Sequence, residues 1–193
     1  MEKIIQSIVL GLLFVFSTSV SGQEETIIKP GLISGQATIS PSKMLGFNES
    51  RFYLHGNLEA YLNDKVSLAG EIYFDLGSLT EGQNSFQFNH KLFFGASWHF
   101  THNNNDLYIG IQPGVSATKL NLITTLPAGA GATTGINPIF SSVLGYNYFV
   151  NKFFHFFVQS RITLGEHNYD AHTNLAEFNF SAGLGFNINA KQK

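Results

Sequence analysis

The sequence predicts an all-β protein: a closed, antiparallel, eight-stranded up-and-down transmembrane β-barrel whose apolar face points outward. Three observations carry this. Eight segments alternate apolar and polar residues; charged residues make up only 12% of the chain, against about 25% in an average soluble domain; and an export signal precedes the first segment. In the clearest segment, Arg51 to Leu62, every even position is apolar or Gly and every odd position carries a polar atom. Successive strand side chains point to opposite faces, so one face is greasy and the other holds Arg51, His55, Asn57 and Glu59.

The export signal is read from its three regions. Met1 to Lys3 carries a lysine, Ile4 to Phe16 is apolar apart from Gln6, Ser7 and Gly11, and small residues follow from Ser17 to Gly22. Residues 1–22 are therefore expected to be a signal peptide cleaved before Gln23, leaving 23–193 as one barrel domain. The apolar run is shorter than a membrane-spanning helix requires, and no later stretch is long enough either. The chain has no cysteine, which excludes a lipoprotein lipid site, disulfides and cysteine-ligated metal. A net charge of -2 gives no electrostatic case for nucleic acid.

The strands are expected in order as follows. The first spans Gly31 to Ser40, with Pro41 opening a loop. The second, Glu49 to Leu62, and the third, Lys65 to Gly77, are joined by a tight Asn63-Asp64 turn. The fourth runs from Phe86 to Thr101, and the polar His102 to Asn105 turn leads into the fifth, Asp106 to Lys119. The sixth is Pro138 to Val150, the seventh Lys152 to Glu166 and the eighth Leu175 to Asn189. Connections after the second, fourth and sixth are short; the others are longer, with Leu120 to Asn137 the longest. In outer-membrane barrels short turns face the periplasm and long loops the exterior, which places both termini in the periplasm.

A soluble, lipocalin-like barrel also alternates, and side-chain volume separates the two. The apolar set includes Phe52, Leu54, Phe74, Phe86, Phe94, Trp98, Phe100, Phe140, Phe156, Val158, Phe178 and Phe186, too bulky for an eight-stranded interior. The opposite set, with Ser67, Ala69, Ser97, Gln112, Gln159, Thr163, Asn179 and Ser181, fits the lumen. Trp98, Phe100, Tyr148, Phe154 and Phe186 then lie near the periplasmic strand ends and Phe74, Phe86, Phe140 and Phe178 near the outer ends, as aromatic girdles do.

The mature chain resembles the small eight-stranded outer-membrane barrels of the OmpA-transmembrane-domain and OmpX type, and the Bacteroidota-style outer-membrane β-barrel proteins. The signal peptide, the Ile33-Ser34-Gly35-Gln36 opening and the final Phe178-x-Phe180-Ser181-Ala182-Gly183-Leu184-Gly185-Phe186 carry the resemblance. It implies insertion into outer-membrane lipid by the barrel-assembly machinery. Members usually end on or near an aromatic residue; here Phe186 is followed by seven further residues, Asn187 to Lys193. No activity transfers with the resemblance.

The lumen-facing charges are the most chemical feature of the chain. Pairing the second and third strands about Asn63-Asp64 sets Arg51 opposite Asp75 and His55 opposite Glu71; the next hairpin brings Glu71 near Lys91, and Arg161 reaches Glu177 diagonally. Arg51, Asp75, Glu71, Lys91, Arg161 and Glu177 thus form an expected ionic plug, since buried charges must be paired. Paired carboxylates can also act as acid and base, yet the equal mix of signs fits a structural role better.

Enzymatic and metal alternatives are weaker. Ser97-Trp98-His99 puts a serine and a histidine on one face without an evident orienting carboxylate. The small lipid A deacylases use a His-x-Ser pair on a strand, whereas His90 is followed two on by Leu92 and His155 by Phe157. His167, Asp170 and His172 could share a metal, but loop histidines are mostly unliganded. Gly129-Ala130-Gly131 lacks the strand-to-helix context of a phosphate cradle. The expectation is a monomeric, non-enzymatic envelope protein without cofactor, acting in adhesion or envelope integrity through exposed loops; the alternatives are a soluble small-ligand-binding barrel or a lipid-modifying enzyme.

Overall fold

The computed structural model describes residues 27–79, 85–121, 134–169 and 172–189. The expected signal segment, Asp170 and most of the longest loop, Gly129 to Gly131 included, lie outside the described residues. The strands are β1 (Leu32–Met44), β2 (Ser50–Tyr61), β3 (Val66–Ser78), β4 (Phe86–His102), β5 (Asn105–Leu120), β6 (Thr134–Phe149), β7 (Phe154–Asn168), β8 (His172–Asn174) and β9 (Glu177–Asn189). Each pairs antiparallel with its sequence neighbour from β1 to β7, β7 also pairs with β9, and β9 pairs with β1. Eight strands therefore close into an up-and-down barrel, and β8 is a short extension hairpin on β7.

The apolar set points outward. Val158 is 45% exposed whereas its neighbour Gln159 is 1% exposed, and Leu58, Phe94, Trp98, Phe100, Leu144, Phe156 and Phe186 are likewise on the exterior. The interior is the polar face, but it is not made of small residues alone. Tyr53, Tyr61, Tyr73, Phe93, Tyr108, Phe149 and Phe157 are buried within it. Glycines make room for these rings across the ladder. Gly145 lies opposite Tyr108, Gly114 opposite Phe93 and Gly183 opposite Phe157; a Cβ at Gly145 would sit 2.2 Å from the Tyr108 ring. Large rings set against absent side chains are how a narrow lumen reaches close packing.

Several expectations need correction. β1 does not stop at Pro41 but runs on to Met44, which shortens the first connection to Leu45–Glu49. Proline is tolerated because the β1–β9 ladder is interrupted between Gln36/Gly185 and Ser42/Asn179. There the hydroxyls of Thr38 and Ser40 donate to the carbonyls of Ala182 and Phe180, each at 2.8 Å. Likewise, β6 starts at Thr134 and β5 includes Leu120, so the longest connection is shorter than Leu120 to Asn137.

The β2–β3 turn is longer than two residues, because the Asn63 side chain accepts from the backbone N–H of both Lys65 and Val66 at 2.8 Å. This moves the register by two: Tyr53, not Arg51, pairs with Asp75, and Asn57, not His55, with Glu71. A further irregularity lies between Phe52 and Tyr53. An even shift leaves every side chain on its expected face.

Phe86 is the one girdle residue on the wrong face. The β4–β5 register shifts between Phe86 and Phe88, and this bulge turns Phe86 into the lumen. There it packs with Met44, Tyr53, Tyr73, Phe93, Leu120, Ile139 and Leu175 as an apolar cap at the long-loop end. The opposite mouth carries a second cap of Ile28, Leu32, Tyr61 and Phe149.

The face assignment yields a direct test. In phospholipid vesicles, Val158→Arg is expected to lower the unfolding free energy by about 2–4 kcal/mol, and Val158→Leu, which keeps the apolar surface, by less than about 1.5 kcal/mol. Urea unfolding of the two variants measures the difference. A wall facing water would accept both alike.

Candidate functional site

The lumen between the two caps is a continuous polar and ionic column, and it gathers all six of the sequence-predicted residues: Arg51 meets Asp75 and His55 meets Glu71 as expected, while Lys91 and Arg161 take other partners. At the long-loop end Arg51 contacts Glu49 through Nη1 and Asp75 through Nη2, the latter at 2.6 Å. Its Nε also donates to both Asp75 oxygens at 3.2 Å. Asp75 further accepts from the backbone N–H of Asn89 at 2.7 Å and of Gly77 at 2.8 Å. Gly77 has φ of 118°, a conformation that favours glycine and lets the chain turn back onto that carboxylate.

One layer deeper, Lys91 pairs with Glu177 across the barrel, not with Glu71. Its ammonium lies 4.4 Å from the centroid of the Tyr53 ring, and Tyr53 donates to Glu177 at 3.2 Å. Arg161 in turn pairs with Glu71 at 2.5 Å, not with Glu177. Its guanidinium stands 4.4 Å over the Phe93 ring and donates to Ser141 and Tyr73. Glu71 is the hub. It accepts from His55 at 3.0 Å, Gln159 at 2.8 Å and Gln112 at 3.0 Å as well. Ladder arithmetic finds cross-strand neighbours, whereas these partners lie on strands β7 and β3, or β4 and β9, facing each other across the lumen. Only a closed cylinder brings them together.

Glu49 is not evident from sequence because it stands just before β2, where alternation does not assign a face. With it, Glu49, Asp75, Glu71 and Glu177 face Arg51, Lys91 and Arg161, so the signs are not balanced as expected. The backbone N–H of Ser85 meets the second Glu49 oxygen, Asn179 the second Glu177 oxygen, and His55 and Gln159 the second Glu71 oxygen.

A second cluster near the short-turn mouth was missed. His99 has two orienting carboxylates: Nδ1 donates to Asp106 at 3.0 Å, and Nε2 lies 3.3 Å from Glu59. The serine that approaches it is Ser67, at 2.8 Å from Nε2, and not Ser97. Serine, histidine and aspartate thus stand in the order of a hydrolytic triad. However, Ser67 donates to Glu59 at 2.5 Å, which commits its only hydroxyl proton, so its oxygen meets Nε2 as an acceptor. Tyr61 and Asn147 occupy the remaining Asp106 contacts at 3.1 Å, and the apolar cap covers that mouth. Nothing there resembles an activated nucleophile.

His167 is buried and bonded to Thr118 at 2.7 Å, while His172 is exposed on β8. Among the described residues no group of metal-ligating side chains has the arrangement to hold an ion.

No family model matches the sequence, and no curated protein does. Solved structures do match in fold. The Neisserial surface protein A superposes with a TM-score of 0.59 at 13% identity, covering 80% of this chain and 95% of that one. The outer membrane protein OprG of Pseudomonas aeruginosa gives 0.60 at 11% identity, covering 86% and 100%. Ail, the attachment invasion locus protein of Yersinia pestis, in complex with the heparin analogue sucrose octasulfate, gives 0.51 at 13% identity, covering 82% and 99%. This chain is similar to small outer-membrane barrels in fold.

The ion pairs predict a non-additive mutational cycle. Glu177→Leu alone strands Lys91 in the lumen and is expected to cost about 3–5 kcal/mol. Lys91→Met combined with Glu177→Leu is expected to cost clearly less than Glu177→Leu alone, because no orphan charge remains. Urea midpoints of the two single variants and the double variant measure the coupling.

Proposed function

We propose that this chain is an integral outer-membrane protein of a Gram-negative envelope: residues 1–22 direct export, and 23–193 form a monomeric barrel that sits in outer-membrane lipid after insertion by the barrel-assembly machinery. The observation that carries this reading is the inverted polarity of the wall. Leu, Ile, Phe and Trp side chains cover the exterior of a barrel whose interior is ionic, and such a surface is stable only in an apolar medium. A soluble ligand-binding barrel would need the opposite arrangement, so that alternative is set aside.

Within this reading the lumen is a plug. Three ion-paired layers, the ring–glycine contacts and two apolar caps fill the bore, which favours a closed scaffold over a channel. The protein is then non-enzymatic. The committed proton of Ser67 and the covered His99 cluster argue against hydrolysis, and a lipid-modifying site has no counterpart among the described residues. Function then falls to the loops, in adhesion or envelope integrity, with the barrel as a rigid mount. Adhesion is the reading supported by the name of one protein of similar fold, an attachment invasion locus protein.

Two experiments test this. The purified barrel in planar bilayers is expected to give no stable, large single-channel currents; a steady conductance would mean an open path past Arg51, Glu71 and Arg161. Orientation is tested with an impermeant thiol reagent, which a chain without cysteine makes clean. Asn48→Cys, exposed in the β1–β2 connection, is expected to react on intact cells, and Asp64→Cys, exposed in the β2–β3 turn, only after the outer membrane is opened. The reverse pattern would invert the topology.

A further inference from the structure

The apolar exterior of the barrel is interrupted on β4 by one imidazole. His90 points outward between Phe88 and Leu92, two apolar positions on the same face of the strand. Its ring is the middle member of a stack. The Phe74 ring lies 4.3 Å away at an interplanar angle of 12°, and the Phe88 ring 5.0 Å away at 9°. The backbone N–H of Asp75 donates to its Nδ1 at 3.0 Å. That bond exists because the β3–β4 ladder ends at Tyr73 opposite Lys91, which frees the Asp75 amide to turn to a side chain. With Nδ1 as acceptor, the ring proton is on Nε2. The two rings and the bond fix the direction of that N–H, and no described residue accepts from it.

A cation lies on the strand beside this donor. Lys119 sits opposite Phe88 on β5 and on the same outward face, which makes it the diagonal neighbour of His90, about 7–8 Å away between backbones and within reach of a long side chain. Its ammonium has no ion pair among the described residues. Both groups lie toward the long-loop end, where the apolar belt of Phe74, Leu76 and Leu92 gives way to polar sequence.

We propose that His90 and Lys119 form a binding site for the phosphate of an anionic lipid headgroup in the outer leaflet. The inference rests on the membrane reading given above. A directional N–H and a point charge stand on diagonal positions of adjacent strands on one face, close enough for a single phosphate group to meet both. The apolar floor argues for a lipid over a soluble anion: Leu92 and Phe94 continue the outward face of β4 from the site toward the bilayer interior, where a tethered acyl chain lies and free phosphate gains nothing.

The test uses the full mature chain in nanodiscs of phosphatidylcholine containing either phosphatidic acid, which presents a phosphate, or diacylglycerol, which lacks it. Native mass spectrometry of the protein released from discs holding both reads the retained lipid. The wild-type protein is expected to retain phosphatidic acid over diacylglycerol by at least about threefold, the scale of one partly exposed charge pair. Lys119→Met and His90→Phe, the latter keeping the ring stack, should each bring that ratio toward one. The side-chain nitrogen signal of His90, identified by its loss in His90→Phe, should move with phosphatidic acid and not with diacylglycerol.

An unchanged ratio in both variants would overturn the site, and so would the same nitrogen shift from inorganic phosphate added to phosphatidylcholine discs, which would point to a soluble anion. A chain that inserts into neither bilayer would overturn the membrane reading and the inference together. One that inserts into both without preference overturns the inference alone.

Discussion

The pairing of Glu71 with Arg161 is the interaction on which the rest of the barrel depends. A guanidinium and a carboxylate removed from water are costly unless each meets a partner and its spare valences are filled. Glu71 meets this condition by drawing on β2, β5 and β7 at once, through His55, Gln112, Gln159 and Arg161. The contacts to Gln159 and Arg161 on β7, which faces β3 across the lumen, cannot form while the sheet is open. The ion pair therefore rewards closure itself, and the aromatic rings under Arg161 shield it from competing water. Lys91 with Glu177 acts in the same way, joining β4 to β9.

Faces were legible in the sequence and partners only in part: Arg51 with Asp75 and His55 with Glu71 could be read from it, the cross-lumen pairs could not. Period-two alternation fixes which side chains enter the lumen, and an error of two residues in the β2–β3 register left that assignment intact. It did change who meets whom. The Asn63 side chain lengthened the turn, so Arg51 reaches Asp75 diagonally instead of directly. Cross-lumen pairs such as Lys91 with Glu177 were out of reach because no local rule relates strands that are not adjacent. Phe86 failed for another reason: a bulge changes the phase of alternation, and nothing in Phe86-Gln87-Phe88 announces one. The second cluster could have been found. Glu59, His99 and Asp106 all occupy lumen positions near short turns, a polar-position count that would have paired His99 with a carboxylate.

The interior aromatics qualify the volume argument that set the apolar set outside. The conclusion holds, yet Tyr53, Tyr61, Tyr73 and Tyr108 bring large rings into the lumen, each with a hydroxyl that finds a hydrogen-bond partner there. Tyrosine satisfies both demands of a narrow polar bore, since its ring fills space and its phenol meets the charges. The Gly partners then become a requirement and not a weakness of the strands.

Those Gly partners also resolve an ambiguity that alternation leaves open. A slip of two residues between β5 and β6 would keep all faces correct, so the hydrophobic effect opposes it only weakly. It would, however, move Tyr108 from Gly145 to Val143 or Asn147, either of which already fills the lumen. The same slip between β7 and β9 would take His155 off Gly185, where a Cβ would come within 2.1 Å of the ring. Face is thus specified by alternation, and register by the shapes and charges that meet inside. The interior side chains that fix the register are those of the proposed plug, so a mutation that opened a path through them would also weaken the choice of strand partners.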